Sequence, residues 1–182
     1  TANALLIGLG GSDRRFFRIR DGKRRAILME CRSDDPDFNR QITYTQFFGS
    51  RGIPVPVLLA VDSAHKRALF EDLGDTSLYS YLKLPRNQQH ITDIYCRVME
   101  LLVRLHGHAT RRVHECPTLQ ERVFDYDHLR WETTYFLEHF VSGVRQIAIS
   151  KPDELEQEFH KLASTANAFP KTVIHRDFQS QN

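Results

Sequence analysis

The spacing of apolar residues changes character near residue 75. Before it the apolar runs are short or alternate with period two, and after it they recur every three to four positions. Ala4 to Leu9 is a short apolar run, followed by Gly10, Gly11 and Ser12. Phe16 to Arg20 sets Phe17 and Ile19 against Phe16, Arg18 and Arg20, the alternation of a half-buried strand. Asp21-Gly22 is a hairpin signal, and Ala26 to Cys31 reads as the returning strand. Phe38, Ile42, Thr45 and Phe48 then repeat at helical spacing, with Asp37 as the expected N-cap and Gly49 or Gly52 as the stop. Ile53-Pro54-Val55-Pro56 must be extended. Val57 to Val61 and Ala68 to Glu71 make two strands around the polar turn 62–66.

This order, β-β-β-α-β-β, predicts an antiparallel sheet with one helix. It lacks the strand–helix alternation of a dinucleotide-binding fold. Phe70 to Asp75 runs out into acidic residues and Gly, and serves either as a hinge whose backbone could meet an adenine base or as a plain linker. Ile91, Ile94, Tyr95, Val98, Leu101, Leu102 and Leu105 predict a core helix closed by Gly107, with His106 structural. Leu129, Phe136, Leu137, Phe140 and Val141 predict a second helix ending at Gly143. Leu155, Phe159, Leu162, Ala163, Ala166 and Phe169 predict a third, capped by Ser150 with Asp153 and ended by Pro170.

The chain closes on Val173-Ile174-His175-Arg176-Asp177, with Asn182 five residues after the Asp. His-x-Asp-x-x-x-x-Asn is the pattern of a kinase catalytic loop. There the Asp accepts a hydrogen bond from the acceptor hydroxyl, and the Asn gives an oxygen to Mg²⁺ on the ATP phosphates. Phosphoryl transfer asks mainly for positioning and charge neutralisation, which two converging oxygen ligands supply. The plain alternative makes Asp177 a turn residue, His175 a core histidine and Asn182 a turn residue. Gly10, Gly11 and Ser12 could likewise cradle phosphates through backbone N–H groups, with Arg14, Arg15 and Arg18 adding charge, or be an ordinary loop.

Composition narrows the classes. With 182 residues, 41% hydrophobic and 26% charged, the chain suits one globular domain or two small lobes. No apolar run approaches a membrane span, and the start does not read as a signal peptide. Cys31, Cys96 and Cys116 are odd in number and widely spaced, so free thiols in a cytoplasmic, reducing setting are expected. A net charge of +2 does not by itself call for a polyanionic partner. Arg14, Arg15, Arg18, Arg20, Lys23, Arg24 and Arg25, with Phe16 and Phe17, allow a nucleic-acid reading. Strand alternation would spread those cations over both faces, and solvated edge charges are the ordinary explanation.

Taken together, a small β-rich lobe, a hinge and a helical lobe leading to the His-x-Asp motif resemble the protein-kinase-like fold. Within it the chain is similar to the aminoglycoside phosphotransferase and choline kinase-type family. Gly52-x-Pro-x-Pro and Leu105-His106 are habits of that family. The Gly10 to Arg18 run and Glu71-Asp72-Leu73-Gly74-Asp75 are most similar to bacterial kinases of N-acetylmuramate or N-acetylglucosamine, which act at the anomeric hydroxyl. The resemblance implies an α+β two-lobed architecture, with residues 1–75 as nucleotide-binding lobe and hinge and 76–182 as the first part of the helical lobe. It implies ATP and Mg²⁺ as cofactors, Asp177 as catalytic base and Asn182 as a metal ligand. Gly10, Gly11, Ser12, Arg14 and Arg15 would meet the phosphates, and Glu71 and Leu73 the adenine. The partner implied is an amino sugar or another small hydroxylated metabolite, with a monomer expected and neither nucleic acid nor membrane.

Two departures stand out. The third strand has no Lys or Arg where the family usually pairs one with the phosphates, and the next helix has Gln41 and no Glu. An Arg among Arg14, Arg15, Arg18 and Arg40 would then supply the charge, or the chain would be a kinase-like binding module without transfer. The family also continues past the Asn into a second metal-binding Asp and acceptor-pocket helices, so the 182 residues are expected not to transfer phosphate alone.

Overall fold

A computed structural model describes residues 3–9 and 14–181. Five strands form one antiparallel sheet: β1 (Asn3–Leu9), β2 (Arg15–Asp21), β3 (Arg24–Glu30), β4 (Leu58–Asp62) and β5 (Arg67–Glu71). Their spatial order is β1-β2-β3-β5-β4, with helix α1 (Phe38–Ser50) connecting β3 to β4. The remainder is mainly helical: α2 (Leu78–Leu82), α3 (Gln88–Arg104), α4 (Pro117–Gln120), α5 (Tyr126–Tyr135) and α6 (Pro152–Asn167). This is the α+β arrangement of a kinase-like two-lobed fold. Among the described residues, no helix is long and apolar enough to cross a membrane.

The β2–β3 hairpin turns where expected, with Gly22 at φ +58°. Helix α1 ends at Gly52 and not at Gly49. Gly52 has φ +69°, its N–H donates to the Gly49 carbonyl at 3.2 Å, and Ile53 N–H donates to the Phe48 carbonyl at 3.1 Å. This pair of bonds satisfies the last carbonyls of the helix and needs a left-handed residue at the turn. At the other end Asp37 precedes the helix but makes no side-chain cap, because its carboxylate pairs with Arg40 at 2.5 Å.

The phase of β2 differs from the expected one. The side of the sheet covered by α1 carries Phe16, Ile27, Met29, Ala68 and Phe70, which pack with Cys31, Phe38 and Ile42. Phe17 and Ile19, expected to face the core, are only half-buried, whereas Arg18 is buried at 6% exposure. Full burial of a side chain such as Phe38 contributes up to about 3 kcal/mol, so this side dominates the sheet's stability. Further along α1, Phe47 enters a second cluster with Ile53, Leu105, Ala109, Cys116 and Val173, against which Phe48 packs half-buried. Thr45, expected on the same stripe, turns its hydroxyl to the Gln41 carbonyl at 2.9 Å.

The helical stripes are wider than the faces that pack. On α3, Ile91, Ile94, Val98 and Leu102 are half-buried, while Tyr95, Met99, Leu101 and Val103 are exposed, so this helix is not the fully buried core element its pattern predicts. Gly107 does not close it. The helix continues as a π-helical stretch, Leu105–Ala109, and burial concentrates there at Leu105 and Ala109. The same happens after α5, where a π-helical stretch Phe136–Val144 runs through Gly143. Neither glycine adopts the positive φ of a helix stop, and the wider turn absorbs the extra residue. Lys151, not Ser150, precedes α6, with Pro152 in its first turn and no side-chain cap. Ala163 is buried on α6, but Leu162 and Phe169 are exposed.

By internal packing the chain divides into two compact units, residues 1–119 with 172–182 and residues 120–171. The second unit is α5 with its π-helical extension and α6, joined by Tyr126 to His160 at 2.7 Å and by the Arg130–Glu156 ion pair. The first holds the sheet, the 71–75 segment and the His175–Asp177 loop.

Candidate active site

The loop around Asp177 is fixed at both ends within the first unit. Upstream, Val173 is buried in the second cluster, and its N–H donates to the Thr110 hydroxyl at 2.8 Å. Downstream, the Ser180 carbonyl accepts the Tyr79 N–H at 2.8 Å. Tyr79 lies in the first turn of α2, where N–H groups have no partner inside the helix. Ser77 caps the same turn by accepting the Ser80 N–H at 3.1 Å. Residues 172–174 are not a paired strand.

Between the anchors, residues 174–179 are exposed. Arg176 sits at φ +71°, a left-handed conformation that costs an L-residue roughly 1 kcal/mol or more and recurs at functional sites. The His175 and Phe178 rings meet edge-on at 5.5 Å, bracketing Arg176 and Asp177. His175 is therefore exposed beside Phe178 and is not a core histidine.

The arginines read as phosphate contacts are all engaged with carboxylates. Arg14 donates to Asp35 at 2.9 and 3.3 Å and lies 3.6 Å from Asp37. Its hydrogen bond is the largest cause holding the Asp35 carboxyl at about 2. Arg15 reaches Glu30 at 2.5 Å, and Arg67 shares that carboxylate from the other side. The hydrogen bond from Arg67 is the main reason the Glu30 carboxyl is held below its ordinary range. Arg40 pairs with Asp37, and Arg18 with Asp72 and Asp75. β3 begins at Arg24, two residues before the expected start, so the face that carries Ile27 and Met29 also carries Arg25, 3.6 Å from Asp72. Met29 is 1% exposed, and Gln41 on α1 is exposed.

At the end of β5, Glu71 N–H donates to the Val57 carbonyl at 2.8 Å, and the Glu71 carboxylate accepts the Val57 N–H at 3.2 Å. Leu73 follows in an irregular segment, its side chain 69% exposed. Gly10, Gly11, Ser12 and Asn182 lie outside the described residues.

A family model described as the phosphotransferase enzyme family matches residues 4–182. The chain belongs to that family. No curated protein matches it. In this phosphotransferase-family chain the match spans the sheet, the 71–75 segment and the Asp177 loop alike. The oxygen donors along that loop, the Asp177 carboxylate and the exposed Gln179 and Gln181 amides, are of the hard type that Mg²⁺ accepts while keeping several waters. Three contacts had no signal in the sequence: Thr110 under Val173, Tyr79 against Ser180, and Arg18 beneath the 72–75 turn. Each joins residues more than 50 positions apart, beyond the reach of periodicity or local spacing.

Proposed function

We propose that this chain carries the nucleotide-binding lobe and catalytic loop of a small-molecule O-phosphotransferase, using ATP with Mg²⁺. The observation that carries the reading is an exposed Asp177 on a loop anchored at Val173 and Ser180, in a chain of a phosphotransferase family. Asp177 accepts the hydrogen bond of the attacking hydroxyl and takes its proton late in the transfer. Loop rigidity matters because a misplaced oxygen loses most of the gain from proximity. Asn182 would offer its side-chain oxygen to Mg²⁺, which when bound would neutralise charge on the ATP phosphates. The exposed residues Glu71 and Leu73 would receive the adenine through backbone groups, and Gly10, Gly11 and Ser12 would cover the phosphates.

The acceptor we propose is an amino sugar, on the likeness of the Gly10–Arg18 and Glu71–Asp75 runs to the anomeric kinases. Arg14, Arg15 and Arg18 are held by carboxylates, which supports a small-molecule partner over a nucleic acid. A monomer in a reducing compartment fits three unpaired thiols, two of them buried.

One observation favours a second reading, a nucleotide-binding module without transfer. Met29 occupies the α1-facing end of β3, and the neighbouring arginines are paired. Measuring ADP release by the intact protein with N-acetylmuramate, N-acetylglucosamine, choline, homoserine and aminoglycosides separates the two. Release stimulated by an amino sugar is the expected result. Tight Mg²⁺-dependent ATP binding with no release on any acceptor would establish the module instead.

A further inference from the structure

We infer that Arg18 is a positioning residue for the nucleotide, fixing the Leu73 backbone through the carboxylates on either side of it. This rests on the phosphotransferase reading above. Arg18 lies on β2, more than 50 residues from the segment it holds, with its side chain 7% exposed. Its guanidinium forks: Nη1 donates to Asp75 Oδ2 at 2.8 Å, Nη2 donates to Asp72 Oδ1 at 3.0 Å, and Nε lies 2.9 Å from Asp72 Oδ2. Asp72 is 1% exposed, and its Oδ1 also accepts the Gly74 N–H at 2.9 Å. Arg25 approaches the same carboxylate at 3.6 Å. Gly74 stands at φ +85°, so the turn needs the one residue that adopts this conformation without strain.

Leu73 sits inside this frame, yet its own side chain is mostly exposed. Packing of that side chain therefore does little to place its peptide; the bonds on either side of it place it. A buried ion pair adds little stability over apolar residues of the same size, so stability is a weak reason for one here. What a planar fork adds is fixed geometry, which a lysine ammonium cannot reproduce. An adenine edge offers a donor beside an acceptor, and it is met well only by backbone groups whose spacing is set before it arrives.

The test combines amide hydrogen exchange of the free protein with Mg·ADP affinity, for the unaltered chain, Asp75→Asn and Arg18→Lys. Asp75 is 78% exposed, so its replacement leaves the core intact, and Arg18→Lys keeps a charge beside buried Asp72. Exchange of the 72–76 amides should quicken about threefold in Asp75→Asn and about tenfold in Arg18→Lys while α1 keeps its protection. Nucleotide affinity should fall in step, by about threefold in Asp75→Asn and about tenfold in Arg18→Lys, as the competent fraction drops. Unchanged exchange, or faster exchange with unchanged affinity, would overturn the inference. If exchange responds but the unaltered chain binds no adenine nucleotide, the proposed function falls and Arg18 is left with a structural role only.

Discussion

Arg14 and Asp35 lie 21 residues apart and meet at 2.9 Å just before α1, where Asp35 also accepts the Asp37 N–H at 2.7 Å. Both contacts favour the ionised carboxyl, and its pKa drops from the ordinary 3.8 to about 2. A depressed folded-state value means the unfolded chain binds the proton first on acidification. The pair's stability is therefore complete above the unfolded value and disappears as pH falls through the folded one. Denaturation midpoints measured from about pH 5 down to pH 2 should show this loss, and Asp35→Asn should flatten the profile over that range. In the sequence Arg14 was legible as a cation near a Gly-rich turn. Its carboxylate was not, because the partner comes from the connection after β3 and no local pattern announces it. Arg18 differs in kind. The alternation of β2 was legible but its phase was not, since one apolar face and one Arg-bearing face each offered a Phe, and only α1 decides which is covered.

Among the elements, the succession of three strands, a helix and two strands along the chain followed from turn residues and period, whereas the spatial order that puts β5 beside β3 did not. Boundaries followed less well wherever a glycine could stop a helix or pass through one. Gly52 stops α1 with φ +69°, whereas Gly107 and Gly143 lie inside π-helical stretches. A Cβ at Gly52 would meet nothing within 4 Å, so its cost would be backbone strain alone. Gly52→Ala should therefore destabilise the fold by about 1 to 2 kcal/mol, read as a lower denaturation midpoint with an unchanged slope. Gly107→Ala, in a helical conformation with only the Arg111 guanidinium 3.6 Å away, should be neutral or mildly stabilising in the same assay. Helical stripes overstate the core for a simple reason. Periodicity marks every residue on an apolar arc, but a neighbour covers only part of it, as the exposure of Tyr95, Met99 and Val103 on α3 illustrates.

At the scale of the whole chain, α1 links the sheet to the candidate catalytic loop. Phe38 and Ile42 belong to the cluster beneath the sheet, and Phe47 to the one that holds Val173. Thr110 completes that second anchorage, so Thr110→Val should leave the Val173 N–H without its acceptor. The expected cost is about 1 to 3 kcal/mol, with faster exchange of that amide while the sheet amides are unaffected. The family is written in the His-x-Asp motif and the order of elements, and its model spans both. The acceptor is not, since no residue pattern on this chain encodes the shape of a sugar. The most direct test compares intact protein and its Asp177→Asn variant in steady-state phosphate transfer to the acceptor that releases ADP. A carboxylate acting on the hydroxyl in the transition state predicts a kcat lower by about 10² to 10⁴ with KM for ATP little changed. A variant that keeps normal kcat would contradict the assignment of Asp177 and the mechanism built on it.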